Sequence, residues 1–433
     1  MKSKKLIIFG IPRIGLTIVL GIEVYALFAL YTIGYQLTPF VVGFALCIGY
    51  LSTALFSFLF GWISDRKYTS LGRRKPYIII FAPIIGISFI FLMMPSLILP
   101  DMNNKIVLFM WLLIWEIIFR LSYSVTTPYQ AWMAEQFNIN ERPKASQIQN
   151  IFNLLGTLIY WSFVFLVLTQ VFDQISSNPN TIPFSFSIFL FLFSILTVFI
   201  FYLSVFLMPV EPHFEIESNL IDILKVSLKN KNFMAISFMV GFSSIAWVML
   251  IAQMLPFLEL VLNLNLSEYL LIMVIEFLCL IVFLDIWRRL IKKLGKKSSL
   301  LWILILAILI LPITLLGLVQ SNYSLILGLI FMVFIGVSLA GWYLLPPVIF
   351  ADIAEVDERT TGELKAGTYT GLPAIFLNLF QALGVFLLGA INELPKITVG
   401  SLSYSIGLVL WGPICSMILL ISWIYTKKYL ILD

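Results

Sequence analysis

Charge is what this 433-residue chain has least of. Asp, Glu, Lys and Arg together make up 11% of it, against about a quarter in a soluble globular protein. There is one histidine, His213, in a polar stretch between apolar runs. That excludes a histidine proton relay inside those runs. The three cysteines, Cys47, Cys279 and Cys415, fall in three separate apolar runs, so neither a disulfide framework nor a metal-ligand set is spelled out. No cluster of His, Cys, Asp and Glu and no nucleophile motif points to an enzyme, and no phosphate-binding glycine loop points to a nucleotide. No cofactor is implied. The net charge of +5 does not form a basic stripe, because the cations stand between apolar runs; a nucleic-acid partner is not expected.

What is present is apolar. Hydrophobic residues make up 61% of the chain and mean hydropathy is +1.03. The apolar runs are long and continuous rather than alternating, which excludes a membrane β-barrel and leaves helices. Each membrane-crossing helix needs roughly 20 residues. The chain divides into twelve such spans, at 12–35, 40–63, 76–99, 106–130, 147–171, 184–208, 233–258, 269–288, 299–319, 323–350, 368–391 and 403–426. The first run continues beyond the length of a signal-peptide core and no small-residue cleavage site follows it, so it reads as a retained span. An even number of spans puts both termini on one side. With the termini in the cytoplasm, 24 of the 27 Lys and Arg residues fall in inner segments, as the positive-inside rule requires. The expectation is an all-α, multi-pass cell-membrane protein in a lipid bilayer, built as a six-helix half (1–208), a cytoplasmic linker (209–232) and a second six-helix half (233–433). The linker, about 24 residues, is the only sizeable loop, which leaves no appended sensor domain.

The two halves share short sequence echoes. Leu71-Gly72-Arg73-Arg74-Lys75 returns 223 residues later as Leu294-Gly295-Lys296-Lys297, and Lys144-Ala145-Ser146 returns 221 residues later as Lys365-Ala366-Gly367. Both pairs sit in equivalent inner loops. Two similar halves suit a carrier working by alternating access, with the solute held near the midplane between them.

The loop after span 2 reads Gly61-x-x-x-Asp65-Arg66, then Gly72-Arg73-Arg74. Gly61 permits close helix approach, Gly72 a tight turn, and Asp65 can accept from a neighbouring arginine. This pattern resembles the inner-loop signature of the major facilitator superfamily, which implies that fold. Five residues separate Asp65-Arg66 from Gly72, where the usual signature has one, and Pro76 follows. That longer form resembles the glycoside–pentoside–hexuronide:cation symporters and the related plant sucrose transporters. Gly21-Ile22-Glu23 with Leu37-Thr38-Pro39, the run Thr127–Glu135, and the second-half residues Ala351-Asp352, Glu355, Thr361-Gly362, Ala366-Gly367 and Ala382-Leu383-Gly384 are similar to segments of those proteins. The resemblance implies a secondary transporter of a sugar or glycoside. It departs from the melibiose-type sodium site: Thr53 and Ser57 stand where span 2 carries sodium-binding aspartates, Thr126 stands at the span 4 aspartate, and Asn378 at the span 11 lysine. Sodium coupling is therefore doubtful and a proton is the expected co-substrate. The alternative on the same fold is a facilitator or exporter of another small organic solute. A monomer suffices for either.

Ionisable residues inside spans cost about 2.5–3.5 kcal/mol each on insertion scales, so each is a functional candidate. Glu23 lies near the middle of span 1 with no cation partner apparent in its own span, and is the preferred proton-coupling residue. Glu116 and Arg120 are spaced i, i+4 on one face of span 4, and Glu276 is central in span 8. Asp285 and Gly295 read as the second copy of the inner latch formed by Gly61, Asp65, Arg66, Gly72, Arg73 and Arg74. Glu259, near the outer end of span 7, is expected to reach the headgroups. Sugar sites use amides for hydroxyls and aromatics for ring faces. Gln130, Gln147, Asn150 and Asn153 in the first half, and Asn378 and Gln381 in the second, supply the amides. Tyr25, Tyr129 and Trp247 are candidate stacking residues.

Overall fold

In a computed structural model of the protein, residues 2–138, 141–211, 230–319, 324–361 and 366–430 are described. Most of the 209–232 linker, with His213, and residues 362–365 lie outside them, as do the side chains of Arg66, Asp352 and Glu355. Among the described residues, twelve helices are long and apolar enough to cross a membrane. The chain divides into two compact units, Met1–Ser218 and Asn219–Asp433.

Each unit holds six spans and packs them in the same order. In the first, span 1 (Lys4–Gly34) packs on span 5 (Lys144–Ser177), span 2 (Pro39–Asp65) on span 4 (Lys105–Met133), and span 3 (Lys75–Met93) on span 6 (Phe184–Leu207). In the second, span 7 (Lys231–Val261) packs on span 11 (Pro373–Asn392), span 8 (Leu266–Leu294) on span 10 (Ser324–Phe350), and span 9 (Lys296–Leu318) on span 12 (Gly407–Tyr429). Pairs 1·5, 2·4 and 3·6 thus recur as 7·11, 8·10 and 9·12.

The repeat also shows in the backbone. Span 1 ends in a π-helical turn, Leu30–Gly34, followed by Gln36 at φ +54°. Span 7 ends in a π-helical turn, Phe257–Val261, followed by Asn263 at φ +49°. The closing hydrogen bonds match as well: the Leu37 N–H donates to Tyr31 O, and the Leu264 N–H to Leu258 O. All of these pairs are 227 residues apart.

Several span boundaries differ from the sequence expectation, for readable reasons. Span 3 stops at Met93 because Pro95 opens a 3-10 turn, Pro95–Leu97. Span 4 breaks between the helices Lys105–Tyr123 and Thr126–Gln136. Pro128 has no N–H for the carbonyl four residues back, and its ring crowds that carbonyl, at Ser124. Span 12 starts at Gly407 instead of 403, because β1 (Lys396–Val399) and β2 (Leu402–Ser405) pair antiparallel around Gly400 at φ +63°. A short helix, Lys2–Gly10, precedes the main helix of span 1, which opens at Pro12. Large apolar side chains stay exposed along the spans, as with Leu192, Ile195 and Phe199 on span 6; hydrocarbon, not water, is the solvent these faces fit.

Candidate functional site

Three ionisable side chains meet inside the first unit. Arg120 of span 4 donates from Nη2 to Glu23 Oε1 of span 1 at 2.6 Å. From Nε it donates to Glu116 Oε1, one turn earlier on its own helix, at 2.9 Å. The ring of Tyr50, on span 2, lies beneath the guanidinium with its centroid 3.9 Å from Cζ, a cation–π contact. All three charged residues are buried. Glu116 fits because span 2 has Gly49 opposite it; a Cβ there would collide with the carboxylate. The i, i+4 pairing expected for Glu116 and Arg120 is present. Sequence reasoning found no cation for Glu23, because Arg120 reaches it from 97 residues away.

The charges in this triad do not cancel. Two carboxyl groups share one guanidinium, leaving one acid in excess. Oε2 of Glu23 and Oε2 of Glu116 are both buried and neither receives a hydrogen bond. The two carboxyl groups meet on the one guanidinium. A single proton between them makes the triad neutral and supplies a missing donor. This arrangement can take up and release one proton, and it can offer Arg120 as a donor when a carboxyl is neutral.

The second unit holds a different kind of acid. Glu276 of span 8 is fully buried, and both of its carboxyl oxygens lack a hydrogen-bond partner. Glu259 sits half-buried in the π turn of span 7, where its Oε2 accepts a hydrogen bond from the Tyr269 hydroxyl.

The amide and aromatic candidates separate into two groups. Gln130, Gln147 and Asn150 are exposed and Gln381 is half-buried. Others are occupied in packing. Tyr129 is buried, donates to Phe9 O at 2.5 Å and accepts from Gln149 Nε2 at 3.1 Å. It holds the first helix in place instead of offering a face. Asn153 accepts from the Thr17 hydroxyl at 2.6 Å, tying span 5 to span 1. Asn378 donates to Ala374 O of its own helix at 2.7 Å. Tyr25 is buried against the rings of Tyr160 and Trp161, and Trp247 against Trp342.

At the Lys/Arg-rich end of the first unit, Arg74 binds two acids. Its Nη2 reaches Asp65 Oδ1 at 2.5 Å and Glu135 Oε1 at 2.7 Å, and Nη1 donates to Ser64 Oγ at 2.6 Å. A third acid, Glu211, was not legible beforehand. Its Oε1 accepts from the backbone N–H groups of Arg73 (2.5 Å) and Arg74 (2.9 Å), and its Oε2 from Trp132 Nε1 (3.1 Å). Gly72, at φ +93°, passes so close to this carboxylate that no side chain fits there. Glu211 pairs with backbone amides at the start of span 3, which carry no sequence signature. Arg73 is buried, with its guanidinium 6.0 Å from the Tyr68 ring. Gly61 lies against the Thr127 methyl of span 4. The echo in the second unit is looser: Asp285 pairs with Arg288 (3.9 Å) and Arg289 (2.6 Å) on its own exposed helix face, and Gly295 keeps the positive φ, +80°.

Burial raises the Glu135 carboxyl above its ordinary value, with Arg74 pulling the other way. Glu135 lies just beyond span 4, with its side chain 11% exposed. Thr53, where a sodium-binding acid would stand, donates to Gly49 O of its own helix. Among the described residues, no group of three or more His, Cys, Asp and Glu side chains could hold a metal ion.

Known structures share this architecture. The crystal structure of a D-xylose–proton symporter superposes with a TM-score of 0.71 at 14% identity, covering 99% of this chain and 97% of that one. The nucleoside transporter NupG gives 0.63 at 15% identity over 98% of both chains. A bacterial homologue of the human lysosomal transporter Spinster, inward-facing and unoccupied, gives 0.67 at 14% identity over 99% and 97%. None of the curated protein sequences compared with this chain matches it. The family profile described as MFS/sugar transport protein matches residues 8–398. Twelve helices in two like-packed sets of six, similar folds among solved transporters, and a profile spanning nearly the whole sequence place this chain in the MFS/sugar transport protein family of the major facilitator superfamily.

Proposed function

We propose that this membrane transporter moves a sugar or glycoside across the cell membrane by alternating access, coupled to protons, with both termini in the cytoplasm. The observation that carries the reading is the buried triad of Glu23, Glu116 and Arg120, which has one acid more than it has cations. Binding a proton neutralises the triad; losing it leaves a buried negative charge that favours rearrangement or a donor from the solute. The exposed amides of Gln130, Gln147 and Asn150, with Gln381, are the groups suited to solute hydroxyls. The five-residue spacer before Gly72 and the sugar-transport description of the matching family favour a sugar. Gly61, Asp65, Arg73, Arg74 and Glu211 act as the inner latch that biases the cycle. The other reading on this fold is a facilitator or exporter of another small organic solute.

The test uses the full chain in sealed liposomes, an imposed pH gradient, and a panel of labelled mono- and disaccharides. At least one sugar should accumulate, and a protonophore should abolish the accumulation. Glu23→Gln should do the same without a protonophore. Sugar uptake that ignores the gradient would sink proton coupling. No response to any sugar would turn the assignment to the second reading.

A further inference from the structure

Glu276 stands apart from the triad in the other unit, and its surroundings are of another kind. Span 8 buries a single stripe that includes Tyr269, Ile272, Met273, Glu276 and Leu280. The spans packed against it are 10 and 9. From span 10, Gly336 faces the Glu276 stem: a Cβ there would lie 3.7 Å from Glu276 Cγ. The titratable groups within electrostatic reach are Tyr343 on span 10 and Cys279 one turn along its own helix. Span 9 brings Lys296 and Lys297 only at its first turn, beside Leu294. That is 18 residues from Glu276, or about 27 Å along the helix. No Lys, Arg or His among the described residues pairs with this carboxyl.

An ionised carboxylate held in an apolar contact without donors or a counter-ion is very costly, whereas the neutral acid is not. A hard metal cation does not solve the problem, since it takes six or more oxygen ligands and, among the described residues, no group of three or more His, Cys, Asp and Glu side chains stands here. We propose that Glu276 is a second proton-binding site of the carrier, independent of the triad. Its carboxyl holds a proton, as an O–H bond on one Oε, while spans 8 and 10 pack as they do here. That proton passes to water when the contact between spans 8 and 10 opens, and the carboxylate takes up a proton from water before the contact closes again. The coupling role rests on the proton-transporter reading; the proton itself does not.

Two measurements separate those statements. Infrared difference spectroscopy on the purified full chain in liposomes reads the C=O stretch of protonated carboxyl groups. A buried protonated-carboxyl band should be present at neutral pH. It should be lost in Glu276→Gln and retained in Glu23→Gln, with the thermal unfolding of both variants close to wild type because Gln matches the neutral acid in shape. A Glu276→Gln spectrum identical to wild type overturns the proposal. The band should also exchange when H2O is replaced by D2O during sugar-driven turnover; a band that never exchanges marks a static acid and overturns it too. The second measurement is protons moved per sugar in the liposome assay, which should fall in Glu276→Gln. An unchanged ratio overturns the proposal. If wild-type liposomes respond to no sugar, the transport reading fails, and the Glu276→Gln spectrum still decides the site.

Discussion

Replacing Arg120 with Met tests the triad most directly. Met keeps the apolar stem that packs in the helix interface and removes only the guanidinium. Two buried carboxyl groups then lose their shared partner at 2.6 and 2.9 Å, and the Tyr50 ring loses its cation. Removing one member of a buried ion pair costs about 3–5 kcal/mol, because the remaining charge is left uncompensated. The lost cation–π contact adds up to about 2 kcal/mol. A loss of at least about 3 kcal/mol is therefore expected for Arg120→Met. The triple variant Glu23→Gln, Glu116→Gln, Arg120→Met removes all three charges together. Neutral replacements of buried charge clusters are often neutral or stabilising, so the triple variant should be less damaged than the single one. The coupling should be about 2 kcal/mol or more in the cycle. Denaturant unfolding of the purified protein in mixed micelles, followed by tryptophan fluorescence, gives these differences. If the triple variant is at least as destabilised as Arg120→Met, the triad is not an electrostatic unit and the reasoning fails.

Gly49→Ala should push Glu116 away from Arg120, because its Cβ would collide with the carboxylate; overpacking of this kind costs about 1–3 kcal/mol. Restoring stability by adding Glu116→Gln would not occur, but adding the shorter Glu116→Asp should recover part of the loss. Asp65→Asn weakens the Asp65–Arg74 pair and should slow turnover while sugar binding, read by a thermal shift, is unchanged; wild-type turnover would reduce the loop to a membrane anchor. Glu135 gives a pH signature. Its carboxyl is raised above 4.5 by burial, against the pull of Arg74, so the folded protein binds this proton more readily than the unfolded chain. Its contribution to stability is complete below about pH 4.5 and is lost as the pH rises through the folded-state value. The unfolding midpoint of wild type should therefore gain on that of Glu135→Gln as the pH is lowered from neutral; parallel curves would remove Glu135 from the account.

How much could be read from the letters depended on distance along the chain. Glu116 and Arg120 are four residues apart, so helical periodicity alone put them on one face. Glu23 and Arg120 are 97 residues apart, and only the packing of spans 1, 2 and 4 shows that they share a charge. The aromatic candidates are ambiguous in sequence for a related reason. A tyrosine in a span looks the same whether it meets a solute or, like Tyr129, spends its hydroxyl on the carbonyl of Phe9. Glu211 left no trace because its partners are backbone amides. The end of strand β2, Ser403–Ser405, reads as part of span 12 because it continues into an apolar run, and a window tuned to helices does not register four-residue strands. The loop Gly61–Lys75 was legible because its spacing is itself the signal.

The π turns at the ends of spans 1 and 7 act on angle as well as on length. Each holds one residue more than an α-turn would over the same rise. In an α-helix every residue advances the side chains by about 100°. Winding residues 30–34 as regular α-helix would therefore rotate everything beyond them by roughly that angle relative to the span before them. The Tyr35 carbonyl would turn away from Lys105 Nζ, which now donates to it at 2.8 Å, and the amide of Gln36 away from Ser176 O. Each unit thus sets the rotational phase of its first exit loop with a single surplus residue. A substitution that straightened either turn into α-helix would be felt as a twist, where a change of the same size in a surface loop would only be slack.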